Sequence, residues 1–427
     1  MGRVVILGGG YAGLHAFSAL RSRLRSLIAR GEVELTLVSR DGYHTYHGWT
    51  GEVLAGDLPV DSTLTSLEPL LGQSFVQGEV VSADLGGRTL TVKSEDGQRE
   101  LRFDHLLIAA GSVDPFDRIP GLAAHGWCVK NTRDMQKLAG ELDGWDAAAA
   151  GRRNVVVVGG GLAGVETASA LAARFGRTGS DKINIHLVSS SEKLLPTLRP
   201  DFDHIAETAT RTLVEQGVQL HQGTRVARIE KDQVELSNGR TVASDLSVVA
   251  AGVSFSILPG TESLARNQAG QIIADDGLRV RGSDNIWVAG DIAAVPHPAT
   301  GEPCPVNALW AMKQGDCVGR NIARSIKGQR VRGFNFRGLG QAAGLAGQRG
   351  ITELYRIQFT GRLAWLIRVL FFAWYMPSRR GALSVLSLLS QHVWSAAIGT
   401  LSQRRRAAPA PAAKLPAPVA KLSGHLR

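Results

Sequence analysis

Two short glycine clusters are the parts of this sequence best suited to chemistry. Gly8-x-Gly10-x-x-Gly13 follows a β-branched run, Val4-Val5-Ile6-Leu7, and Tyr11 and Ala12 open an apolar segment behind it. In such a motif the first glycine permits a tight turn and the second lets the backbone approach a pyrophosphate. The third lets helix pack on strand, and the free N–H groups of the helix start meet the phosphate charge. The pattern returns as Val155-Val156-Val157-Val158-Gly159-x-Gly161-x-x-Gly164, with Leu162 and Ala163 inside it. One copy is weak evidence, since a glycine-rich turn produces it. Two copies in the same strand-to-helix context imply two dinucleotide sites.

The surrounding elements repeat as well. Each motif leads into an alanine-rich helical pattern and a second strand, Val33 to Val38 and Ile183 to Val188. Each then reaches a β-meander, over 74–103 with turns at Gly86-Gly87 and Asp96-Gly97, and over 218–246 with a turn at Asn238-Gly239. Each closes on an apolar strand ending Ala-Ala-Gly, at Gly111 and Gly252. This predicts an α/β protein of two Rossmann-type dinucleotide-binding domains, the second inserted in the first. The boundaries read as 1–112 with 253–327 for the first and 113–252 for the second, with an alanine-rich connector at 143–153. A strand ending Gly290-Asp291 and a helix near 308–326 complete the first domain. Beyond it, amphipathic patterns over 361–375 and 381–401 predict a C-terminal helical region spanning 328–403. Residues 404–427, rich in Ala, Pro and Lys, read as disordered.

Charge is divided along the chain. From Cys317 onward there are 18 Lys and Arg against one acid, Glu353, while the preceding part is mildly acidic. A basic end of this kind suits an anionic surface, and its apolar, aromatic content favours lipid over nucleic acid. The longest apolar run, Leu363 to Met376, is interrupted by Arg368 and too short to span a bilayer. The strand beginning at Arg3 leaves no room for a signal peptide. Cys128, Cys304 and Cys317 form no C-x-x-C pair, which argues against a dithiol redox motif and a thiolate metal site.

With these motifs the sequence resembles the two-dinucleotide flavoprotein oxidoreductases, and within them the type II, non-proton-pumping NADH:quinone dehydrogenases, over residues 1–401. The resemblance implies FAD on the first glycine motif and NADH or NADPH on the second. It implies that Gly290 and Asp291 receive the flavin ribityl hydroxyls, that Val80 contacts the adenine, and that Ala110 and Gly111 cover the flavin. Glu166, behind the second motif, corresponds to a family glutamate where nicotinamide and quinone meet. A carboxylate beside an apolar ring can manage protons as a quinone takes up two; the plain alternative is a helix-dipole acid. Trp365, Trp374, Tyr375 and Trp394 suit a membrane interface, and Arg362, Arg368, Arg379 and Arg380 suit anionic headgroups. A dimerising pair of helices, and so a homodimer, is the other reading of this stretch. The implied activity is hydride transfer from NAD(P)H to flavin, then two electrons to a membrane quinone, by a peripheral protein on the cytoplasmic face of the cell membrane.

Three departures qualify the match. The second strands end in Ser39, followed by Arg40, and in Ser189, where an acid usually binds ribose. Ser190 and Lys193 could take a 2′-phosphate, so NADH against NADPH stays open. The quinone-site pattern Ala-Gln-x-Ala-x-Gln reads Ala308-Leu309-Trp310-Ala311-Met312-Lys313 here, leaving Trp310 to stack and Lys313 to stabilise a reduced anion. The rival readings are a sulfide:quinone oxidoreductase using Cys128 and Cys304, and a nucleotide-sensing flavoprotein of the apoptosis-inducing type.

Overall fold

A computed structural model describes residues 2–147, 152–177 and 183–391 of the 427. Two five-stranded parallel sheets form its frame. In the first the order is Ile286–Val288, His105–Ile108, Gly2–Leu7, Val33–Ser39, Phe75–Gln77. In the second it is Gly126–Cys128, Leu246–Val249, Arg153–Val158, Ile183–Val188, Gln219–His221. Strand for strand the two sheets match. They differ in where the first-named strand comes in the chain: last in the first sheet, first in the second. The buried, β-branched glycine strands sit centrally in both, as strands covered on two faces must.

The repeat extends to its braces. Asp104 accepts the Arg3 N–H and Asp245 accepts the Asn154 N–H, both at 2.7 Å. Each expected meander is present as three antiparallel strands, Glu79–Asp84, Thr89–Ser94 and Gly97–Arg102, and Val226–Ile229, Gln233–Leu236 and Thr241–Ala243. The residues just before each meander, Phe75–Gln77 and Gln219–His221, join the parallel sheets instead.

The helix Ala308–Ile326 crosses the first motif helix, Tyr11–Arg23, at very short range. A Cβ on Gly315 would lie 2.3 Å from the Ala12 carbonyl oxygen, and one on Gly319 2.6 Å from that of Ala16. Ala12 is therefore buried, whereas Ala163, its counterpart on the helix Leu162–Arg177, is exposed.

The C-terminal part is an antiparallel hairpin sheet, Gly340–Leu345, Arg349–Leu354 and Ile357–Thr360, followed by the helix Gly361–Tyr375 and by helical residues 379–391. Ala343, Leu345, Ile351, Val369 and Ala373 share one core with Val165 and Leu171 of the second motif helix and with Trp49, Val53 and Leu54. This region thus clamps a loop of the first unit onto a helix of the second. No helix among the described residues is long and apolar enough to cross a membrane. Trp394 and the 404–427 tail lie outside the described residues.

Candidate functional site

The two glycine motifs behave as one steric design used twice. Gly8 and Gly159 have φ of +118° and +130°, and a Cβ on either would strike the carbonyl of Ala109 or Ala250. A Cβ on Gly13 or Gly164 would lie 1.9 or 1.7 Å from the carbonyl oxygen of Gly8 or Gly159. By contrast, Gly10 and Gly161 have open space where a Cβ would stand, as do Gly111 and Gly252, both at φ near +70°. These open glycines outline a crevice at the carboxyl end of each sheet, where open α/β folds take ligands. Gly10 caps the first helix without a side-chain bond, and neither motif helix carries an acid in its first turn. The helix N–H groups there are available to a pyrophosphate.

Ser39 and Ser189 lie beneath the middle glycines: a Cβ on Gly9 would meet the Ser39 Oγ at 2.8 Å, one on Gly160 the Ser189 Oγ at 2.1 Å. Ser189 is buried and its hydroxyl bonds the backbone of Ser191. Arg40 and Ser190 are exposed, and exposed Lys193 stands 3.9 Å from Glu207. Val80 is buried in the strand Glu79–Asp84.

The carboxyl ends of the two sheets converge. Val113 and Ser254, each two residues beyond a closing glycine, pair across an antiparallel bridge. Lys130, just past the strand Gly126–Cys128, extends its ammonium to Asp291 Oδ2 at 3.0 Å and to the Ser112 hydroxyl, which itself donates to the same carboxylate oxygen at 2.6 Å. The Lys130 carbonyl meets His47 Nε2 at 2.9 Å, and the His47 N–H donates to the hydroxyl of Tyr11 at 2.9 Å. His44 bonds the Gly9 carbonyl through Nδ1 and stacks edge-on against Tyr11, while its Nε2 is buried without a partner. Burial, followed by neighbouring His47, pushes the His44 imidazole down to about 3, so it stands neutral. None of Lys130, His44 or His47 stood out in the sequence; the signal available for Lys130 and His47 was their position just after strands, where crevice residues gather.

Glu166 lies past the first turn of its helix, so the helix-dipole reading does not fit. Its carboxylate accepts the Gly344 N–H at 2.6 Å and faces Arg368 at 3.0 Å. Arg368 also donates to Glu52 at 2.6 and 3.3 Å and to the Gly48 carbonyl at 2.8 Å. This corrects the expectation that Arg368 meets lipid headgroups: it is 2% exposed and directed inward. A lone charge in an apolar helix must find a partner or remain solvated, and two carboxylates supply it here. Burial outweighs that arginine and raises Glu166 above the usual carboxylate range. The group borders a small, open pocket of about 50 Å³ lined by Glu52, Glu166, Gly344, Trp365 and Arg368, among others. Trp365 is accordingly half-buried. The opposite face of the same helix exposes Leu363, Leu366, Leu370 and Trp374, spaced as one stripe, with Arg379 against the Trp374 ring. Arg362 and Arg380 are exposed as well.

Trp310 is buried against His297, Phe334 and Phe336. Ala308 and Leu309 are half-buried, and Lys313 lies over the rings of Phe336 and Tyr375. A glutamine does occur one residue later: buried Gln314 accepts the Gly290 N–H at 2.7 Å and so fixes the turn that presents Asp291. All three cysteines are free, and burial raises Cys304 and Cys317 to about 11 and Cys128 further. A reactive thiolate needs the reverse shift. No cluster of three metal-ligating side chains occurs among the described residues.

A family model described as pyridine nucleotide-disulphide oxidoreductase matches residues 2–315. A type II NADH:quinone oxidoreductase of Staphylococcus aureus is 29% identical over 381 residues, covering 85% of this chain and 92% of that protein. Among solved structures, NDH2 from Plasmodium falciparum in complex with NADH superposes with a TM-score of 0.80 at 15% identity, covering 92% of this chain and 98% of that one. The sulfide:quinone oxidoreductase of Aquifex aeolicus gives 0.71 at 17% identity, over 88% and 90%. At such identities the two structures establish a shared fold.

The crevice geometry separates two kinds of glycine. Gly13→Ala and Gly164→Ala should lower the thermal midpoint, since overpacking of this sort costs about 1–3 kcal/mol. Gly10→Ala and Gly161→Ala should fold normally yet weaken dinucleotide binding roughly tenfold, about 1.4 kcal/mol, by calorimetry. Equal stability loss at all four positions would contradict the assignment.

Histidine 44 makes stability pH-dependent. Its folded pKa lies below that of the unfolded chain, so its contribution is complete above about pH 6.5 and is lost as pH falls toward 3. Urea titrations should show a flatter acid limb for His44→Gln; an unchanged limb would refute this origin.

Proposed function

From the premise that the chain belongs to the pyridine nucleotide-disulphide oxidoreductase family, we propose that it is an FAD-dependent NAD(P)H:quinone oxidoreductase working at a membrane surface. The disulphide half of the family's description has no counterpart in three separate, unpaired cysteines. The observation that supports the reading is the pair of open glycine turns, one on each sheet, with the Lys130–Asp291 ion pair joining the two units. In this reading residues 1–112 and 253–327 bind FAD and 113–252 bind the nicotinamide dinucleotide. FAD fits the first crevice, where Gly10 and Gly111 leave room and Asp291 offers an acceptor for ribityl hydroxyls. When bound, FAD supplies the two-electron chemistry that no side chain here provides.

The chain's own residues do the rest. The Gly161 and Gly252 crevice orients the donor, and half-buried Tyr11 with buried Tyr46 and Trp49 around the junction excludes water. The pocket beside Glu166 is where the acceptor binds. A quinone accepting two electrons needs two protons, and Glu166, whose carboxyl burial raises above the ordinary range, is placed to donate one when it is protonated. Arg368 keeps it oriented and Lys313 adds positive charge nearer Tyr375. The stripe from Leu363 to Trp374 rests in the lipid that dissolves the quinone, with Arg362, Arg379 and Arg380 toward the headgroups. Full burial of such side chains is worth about 1.5–3 kcal/mol each, enough for peripheral attachment at the cytoplasmic face.

Anaerobic stopped-flow tests the pathway in two halves. NADH or NADPH should bleach the flavin absorbance, and a quinone should restore it. Glu166→Gln should leave the first half within about threefold and slow the second by roughly 10²-fold. The proton donor must be protonated, so wild-type quinone reduction falls as pH rises through the raised Glu166 pKa; the variant loses that limb. A variant slowed equally in both halves would remove Glu166 from this role.

Replacing Leu366 and Leu370 together by Glu should release the protein from anionic vesicles in flotation assays while sparing reduction of a soluble quinone. Undiminished flotation would assign the stripe elsewhere.

A further inference from the structure

Lys130 belongs by sequence to the second nucleotide unit and by contact to the first. It follows the edge strand of the second sheet, yet its ammonium ends on Asp291 and Ser112, which follow Gly290 and Gly111 of the first. Its backbone is fixed at the same junction through His47, and His47 in turn through Tyr11 of the first glycine motif. The ion pair is well shielded, with side-chain exposures of 30% for Lys130 and 17% for Asp291. Charges so enclosed are screened far less by salt than surface charges. The carboxylate that the resemblance assigns to the ribityl chain therefore stands beside a cation contributed by the other unit.

This arrangement has an electrostatic consequence for the proposed reaction, on which the following step rests. A hydride brings two electrons and one proton, so its arrival adds one negative charge to the cofactor in the first crevice, and its departure leaves the nicotinamide ring positive. Asp291 alone would oppose that gain of charge. Neutralised by Lys130, it no longer does. We propose that Lys130 is a positioning residue that offsets the charge of Asp291 and thereby sets the reduction potential of the bound flavin. Because the ammonium is anchored in the nucleotide unit, the same contact ties the orientation of that unit to the flavin site. Ser112, bonded to both partners, fixes the ammonium against the carboxylate rather than leaving it free to swing into solvent. Asp114, buried nearby and hydrogen-bonded to Cys128, is a second carboxyl close to Lys130, raised above the usual range by burial and lowered in turn by the ammonium.

The test uses full-length protein purified with its flavin and reads the midpoint potential by anaerobic spectroelectrochemical titration. Lys130→Met leaves Asp291 uncompensated and should disfavour reduction at least tenfold, a shift of about 30 mV downward for a two-electron couple. Asp291→Asn keeps an acceptor oxygen, leaves the ammonium uncompensated, and should shift the potential upward. The double variant should fall between them. Opposite signs are what a merely structural contact would not produce. An unchanged potential in Lys130→Met, or equal signs in both single variants, overturns the inference. Should Lys130→Met fail to retain flavin, Lys130→Arg decides: retention with a near-wild-type potential upholds the charge role, and loss assigns Lys130 to packing. Wild-type protein without any flavin spectrum would instead sink the functional reading itself, so the two failures are distinguishable.

Discussion

A guanidinium buried between two carboxylates holds the working parts of this molecule together. Arg368 comes from the helix Gly361–Tyr375, Glu52 from the short helix Thr50–Leu54 of the first nucleotide unit and Glu166 from the motif helix of the second. Removing one member of such a group leaves uncompensated charge out of water, a cost of about 3–5 kcal/mol. The three segments are thereby held in one relative position, and the pocket they border exists only when all three are in place. Since the helix that carries Arg368 also exposes the apolar stripe on its far side, the surface proposed to meet lipid is rigidly connected to the acid inside.

The two crevices are copies, yet they are not equivalent. The first lies under the helix Ala308–Ile326, whose Gly315 and Gly319 allow it to press on the first motif helix. The second motif helix packs instead against the hairpin strand Gly340–Leu345, and Ala163 is exposed where Ala12 is buried.

The sequence made the frame legible because its signals are local. A glycine whose Cβ would strike a carbonyl five residues away announces itself in a ten-residue window, and both sheets, both meanders and the insertion follow from two such windows. The fold and the kinship were accordingly well anticipated. The contacts that build the site span the chain instead: Lys130 meets Asp291 across 161 residues and Arg368 meets Glu52 across 316. No periodicity records such pairs. Arg368 was misassigned to the lipid face because basic residues beside aromatics usually snorkel, whereas its helical position opposite Leu366 and Leu370 turns it inward. Gln314 was passed over for a different reason, standing one residue beyond the expected glutamine and thus turned by 100° into the core.

The central claim is that two dinucleotides lie in facing crevices with their rings in contact. A structure determined with FAD and a reduced nicotinamide dinucleotide bound tests it directly. The account predicts pyrophosphates at Gly10 and Gly161 and the two ring systems stacked between Lys130 and Glu166. Rings held too far apart to touch, or a second crevice left empty at saturating nucleotide, would contradict it.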